Sequence, residues 1–118
     1  MSYDLRIGVK VEDAGGKIVQ IAEPYFANPT YNLGVMFRAC TGWNYKQDQY
    51  YKCSDVIGNI ERGIHELTTN RKEYIDFEPS NGWGSLSGAL EVLKSLRECI
   101  YMAAEETDLD ISHLYVAW

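Results

Sequence analysis

Residues 3–23, Tyr3-Asp4-Leu5-Arg6-Ile7-Gly8-Val9-Lys10-Val11-Glu12 followed by Asp13-Ala14-Gly15-Gly16 and Lys17 to Glu23, decide the class of fold. Tyr3, Leu5, Ile7, Val9 and Val11 alternate with polar or small residues. A period of two with one apolar side describes a strand that is buried on one face and wet on the other. Asp13 to Gly16 supply turn residues, and two glycines can take the positive φ of a tight connection. Lys17 to Glu23 then reads as the returning strand of a β-hairpin.

Beyond Pro24 the period changes. Tyr25 to Pro29 reads as a loop, since Asn28 precedes a proline and is pushed out of the helical region. Leu33, Met36, Phe37 and Cys40 recur at i, i+3, i+4 and i+7, which predicts a short helix over 31–41 closed by Gly42. Thr30 suits its N-cap, a contribution of about 1 kcal/mol. Gly34 in the first turn costs roughly 0.5–1 kcal/mol against alanine, so its presence implies a close approach by a backbone or a ligand.

A second helix is predicted from Ser54 or Asp55, either of which suits as a cap, to about Thr69, on Val56, Ile57, Ile60, Ile64 and Leu67. Arg71 to Phe77 supports another turn or two. Asn81 to Gly84 is a turn cluster. The longest helix, about 87–105, carries Ala89, Leu90, Leu93, Leu96, Ile100 and Ala103. Ile111 to Trp118 closes the chain as a strand with Leu114, Val116 and Trp118 on one face. The order β-β-α-α-(α)-β makes residues 1–118 a single α+β domain: a small antiparallel sheet, N-terminal hairpin plus C-terminal strand, with three or so helices packed on one face.

Composition narrows the function classes. The 118 residues carry 11 basic and 17 acidic side chains, a net charge of −6, which argues against direct nucleic-acid binding or an anionic membrane. The longest apolar run, Cys99 to Ala104, is too short to cross a bilayer, and the first residues are charged where a leader needs an apolar run. A cytoplasmic location follows as the expectation. Glu105, Glu106, Asp108 and Asp110 read as a solvated linker, with an acidic surface for a basic partner as the sharper reading. Cys40, Cys53 and Cys99 form no CxxC pair, and Cys40 and Cys99 sit in apolar helical patterns as buried small hydrophobes.

Catalytic and metal constellations are sparse. His65 follows Glu61 by four residues, but no third ligand is visible. His113 alternates away from Leu114 and Val116 and belongs on the outer face. There is no GxSxG, and only a spatial meeting of Cys53 with His65 would supply a nucleophile and its base. Gly82 to Gly88 leads into a helix but lacks a P-loop's Lys-Ser/Thr, so a turn with an N-cap is the reading, with Trp83 pinning the turn to the core. No enzyme, cofactor or metal site is expected.

The aromatic residues remain. Eight of the fifteen lie between Tyr25 and Tyr51, and Tyr45, Tyr50 and Tyr51 stand among polar neighbours. Two readings stay open: tyrosines that cover the edge of the core, or a contact surface for a protein or small ligand. For a nucleotide-like ligand, Thr30, Tyr31 and Asn32 would offer N–H groups to phosphate beside Asn28, with Arg38 nearby and Trp43 or Tyr45 stacking on a base.

Through NPTYNLGVMFRACTGW (28–43), YYKCSDVIGNIERGIHEL (50–67) and HLYVAW (113–118), the chain resembles small uncharacterised accessory proteins of phages and prophages of Gram-positive bacteria. The resemblance implies a context and no catalytic motif. In that context the expected function is non-enzymatic binding, as a counter-defence factor that sequesters a nucleotide-like immune signal or occludes a host defence protein. The alternatives are a structural or assembly module forming a homo-oligomer and, below it, a small hydrolase using Cys53 and His65.

Overall fold

The computed structural model describes residues 8–12, 15–22, 34–44, 50–78 and 85–117. Ten elements follow in order: β1 (Gly8–Glu12), β2 (Ile18–Ala22), α1 (Gly34–Thr41), β3 (Tyr50–Lys52), α2 (Cys53–Thr69), α3 (Arg71–Tyr74), a 3-10 turn (Ile75–Phe77), α4 (Leu86–Thr107), a second 3-10 turn (Ile111–His113) and β4 (Leu114–Ala117). The fold is α+β, and the strands form one antiparallel sheet in the order β2-β1-β4-β3.

The hairpin is present, with Lys10 opposite Gln20 and Glu12 opposite Ile18, and its register shifts between Val9 and Lys10. Gly16 takes φ 81° in the connection, the left-handed geometry that glycine adopts without strain. The expected first strand extends from Tyr3, and its part before Gly8 lies outside the described residues. So do the loop 25–29, the cap Thr30, the turn 81–84 with Trp83, and Trp118.

The C-terminal strand is shorter than its sequence suggests, because Ile111–His113 form a 3-10 turn first. Asp110 starts that turn by accepting the Ser112 N–H at 3.1 Å, and a hydrogen bond with the Ser112 side chain, followed by this backbone bond, holds its carboxyl below the usual range. His113 is exposed there, ahead of the strand. β4 then inserts between β1 and β3 and buries Leu114 and Val116 completely.

Strand β3 is an element that the sequence pattern does not predict. Tyr50, Tyr51 and Lys52 pair with Ala117, Val116 and Tyr115 of β4. The strand runs straight into α2, so that helix begins at Cys53, with extended Lys52 in the cap position and no side-chain cap. Neither Ser54 nor Asp55 caps it, contrary to expectation. Beginning there carries Cys53 inside, where it is fully buried.

The core joins Met36, Phe37 and Cys40 of α1, Val56, Ile60, Ile64 and Leu67 of α2, and Leu86, Ala89, Val92, Leu93, Leu96, Ile100 and Ala103 of α4 to Leu114 and Val116. On α4 the stripe includes Val92 and leaves Leu90 half-buried, a small rotation from the predicted face. Cys99 is likewise half-buried, where full burial was expected. α2 lies between α1 and α4 and crosses both closely at Gly63. A Cβ there would stand 2.6 Å from Thr41 Cγ2 and 2.8 Å from Leu93 Cδ1.

Candidate functional site

Helix α1 ends by a sequence of specific contacts. The Thr41 hydroxyl donates to the Phe37 carbonyl at 2.5 Å and accepts the Trp43 N–H at 3.0 Å. Gly42 takes φ 69° and returns its N–H to the Arg38 carbonyl at 2.9 Å, a left-handed helix stop. The Asn59 side chain of α2 donates to the Thr41 carbonyl at 3.0 Å. Together these turn the chain inward and set Trp43 into the core, only 7% exposed.

Tyr51 meets Trp43 edge to face, with ring centres 5.1 Å apart and planes at 89°. This geometry is favourable for aromatic quadrupoles. It also accounts for the Trp43 ring by packing within the protein, leaving it almost no open surface on which a base could stack. Of the residues singled out in the sequence, Arg38 is exposed on α1 and Trp43 is buried. Asn28, Thr30, Tyr31, Asn32 and Tyr45 lie outside the described residues. Gly34 is buried at the start of α1.

The alternation along β3 creates a different surface. Tyr51 points to the core, while Tyr50 and Lys52 are exposed, Tyr50 by 54%. On β4 the half-buried Tyr115 stands directly opposite Lys52, and Lys10 of β1 is in register on its other side. Tyr50 and Tyr115 are diagonal neighbours, within reach of long aromatic side chains. Two tyrosines and a lysine thus share one patch of the sheet. The sequence signal for it is the Tyr50-Tyr51-Lys52 triplet, whose tyrosines stand among polar neighbours.

The alternative chemistries meet specific obstacles. Cys53 and His65 lie twelve residues apart on one helix, about 18 Å along its axis. Burial also pushes the Cys53 thiol up to about 12 and Cys40 up to about 11, away from the reactive thiolate. Glu61 accepts the Tyr101 hydroxyl of α4 at 2.8 Å, a bond that raises the tyrosine's pKa. Among the described residues no group of three His, Cys, Asp or Glu side chains could hold a metal ion.

At the start of α4, Ser85 Oγ accepts the Gly88 N–H at 2.9 Å and Glu78 Oε2 accepts the Leu86 N–H at 2.7 Å. The N-cap reading of this segment therefore holds. The chain's own oxygens, one of them a carboxylate, occupy donors that an anion would use. No described helix is long and apolar enough to cross a membrane. The chain matches no family model, no curated protein and no solved structure.

Proposed function

We propose that the chain is a non-enzymatic binding protein of the phage accessory type, acting in the cytoplasm of the bacterial host as a counter-defence factor. It holds a nucleotide-like immune signal stoichiometrically, or occludes a host defence protein, and turns nothing over. The observation that carries this reading is the patch of Tyr50, Lys52 and Tyr115, with Lys10 in register beside it. Tyrosine rings accept a base by stacking, and a lysine ammonium is a compact charge for phosphate.

The proposal takes the helices to cover one face of the sheet and the ligand to lie on the other. Arg38 stays in it as an exposed cation on α1. Asn28, Thr30, Tyr31, Asn32 and Tyr45 stay as positions to mutate, while buried Trp43 leaves the ligand set. The test is a titration with a panel of cyclic di- and trinucleotides, read by melting temperature and calorimetry. Saturable binding that Tyr50→Ala and Lys52→Glu each weaken at least tenfold supports it. An absence of binding, together with no protection of phage from any defence system, defeats it.

A homo-oligomeric assembly module is the second reading. Among the described residues β2 and β3 each pair on one side only, and open strand edges invite pairing with another chain. A strict monomer at micromolar concentration in native mass spectrometry excludes it.

A further inference from the structure

The outward face of α4 toward its C-terminus carries large apolar side chains with no cover from the described elements. Tyr101 is 48% and Met102 50% exposed, and Leu109, just past the helix, is 36% exposed. The Tyr101 hydroxyl is tied to Glu61 of α2, which fixes one end of this apolar strip. Exposed apolar surface framed by polar groups is a mark of an interaction site.

The frame is mainly acidic, with Arg97, at i−4 from Tyr101, as the one basic side chain that acts on that tyrosine. Tyr101 lies between Glu98 and Glu105 at i−3 and i+4, and Met102 lies between Glu98 and Glu106 at i−4 and i+4, so all five share a helix face. The three glutamates are exposed. Charge in the chain is concentrated here. Residues 1–97 hold eleven basic and twelve acidic side chains, a net of −1, whereas residues 98–118 hold five acidic ones and no Lys or Arg.

The helix itself deepens this potential, because its C-terminal end carries the negative pole of the macrodipole. Acidic residues there work against the fold, and the last turn of α4 contains no basic residue to offset them. A local electrostatic rule broken without a structural gain marks a place shaped by binding.

We propose that this face of α4 docks a basic amphipathic segment of a partner protein. An apolar side chain of the partner seats on Tyr101 and Met102, and its lysines or arginines face Glu98, Glu105 and Glu106. The charge of the face excludes a second copy of the same surface by like-charge repulsion and selects a cationic partner by complementarity. This surface is distinct from the Tyr50–Tyr115 patch and does not depend on it.

The probe is a fluorescent 16-residue peptide repeating Leu-Lys-Lys-Leu, with a second peptide carrying Ser for Leu, titrated by anisotropy at 100 mM salt. The Lys/Leu peptide is expected to bind, and the Lys/Ser peptide at least tenfold more weakly. Glu98→Lys with Glu105→Lys should weaken binding tenfold or more, and Met102→Ser at least fivefold. Glu73→Lys with Asp76→Lys, an identical change in net charge placed on α3 and the turn after it, should stay within twofold. Circular dichroism establishes that each variant is folded. No binding by the wild type, equal losses in the two charge-reversed variants, or unchanged binding in Met102→Ser would overturn the proposal. So would a wild-type dimer that Met102→Ser dissolves.

Discussion

Helix α2 contains two interior glycines that should respond to alanine with opposite signs. At Gly58, which is exposed, an added Cβ meets nothing within 4 Å. The substitution should therefore deliver the helix preference alone, a gain of about 0.5–1 kcal/mol. At Gly63 the same methyl would approach Thr41 Cγ2 to 2.6 Å and Leu93 Cδ1 to 2.8 Å, with Cys40 Sγ at 3.3 Å. Thr41 is held by hydrogen bonds to Phe37 and Trp43, and Leu93 is fully buried, so neither side chain can simply swing away. Relief requires α1 and α4 to separate from α2, and such overpacking costs about 1–3 kcal/mol. Set against the helix preference, Gly63→Ala should lose about 1–2 kcal/mol, a fall of roughly 4–8 °C for a domain of this size. Urea unfolding followed by tryptophan fluorescence and circular dichroism measures both variants. If Gly63→Ala is as stabilising as Gly58→Ala, the close three-helix crossing at the centre of the fold is wrong.

The remaining predictions concern caps and titration. Ser85→Ala should destabilise by about 1 kcal/mol in urea unfolding, because the Gly88 N–H loses its acceptor at the start of α4. Glu106→Lys should stabilise by about 0.3–1 kcal/mol at low salt and less at 1 M, since a cation replaces an anion at the negative end of that helix. In the native state the half-buried Cys99 should react with a thiol reagent well before Cys40 and Cys53, which should react only on unfolding; three equal rates would contradict their burial. Burial raises the Cys40 and Cys53 thiols above their unfolded value of about 9, so above that pH the unfolded chain releases protons the native one keeps. That part of the stability is complete below pH 9 and falls toward pH 11–12, approaching about 1.4 kcal/mol per pH unit for each thiol, and Cys53→Ala should flatten the loss.

What could be read from the sequence follows from the range over which each pattern acts. The hairpin and the two long helices were legible, because their periods persist over enough residues to exclude other readings. Strand β3 was not, since three residues have no measurable period and the strand exists through its pairing with β4. The stop at Gly42 was legible, but the burial of Trp43 depends on contacts distant in sequence, the Asn59 bond to the Thr41 carbonyl and the edge-to-face packing of Tyr51. For the same reason the aromatic surface moved to Tyr50 and Tyr115, which are 65 residues apart and meet only in the sheet. The acidic run 105–110 reads in sequence as a solvated linker, but Glu105 and Glu106 belong to the last turns of α4. The helix continues to Thr107, past its expected end near 105, and a spacing of seven puts Glu105 on the face of Glu98.

The central claim is that this chain works by holding a ligand. Its most direct test is native mass spectrometry of the protein purified from bacteria under phage attack, followed by denaturation and mass analysis of the released supernatant. The account predicts a stoichiometric adduct of nucleotide mass that appears in the supernatant and disappears from Tyr50→Ala/Lys52→Glu protein. A bare chain mass with an empty supernatant, or an adduct that survives in the double variant, would contradict it.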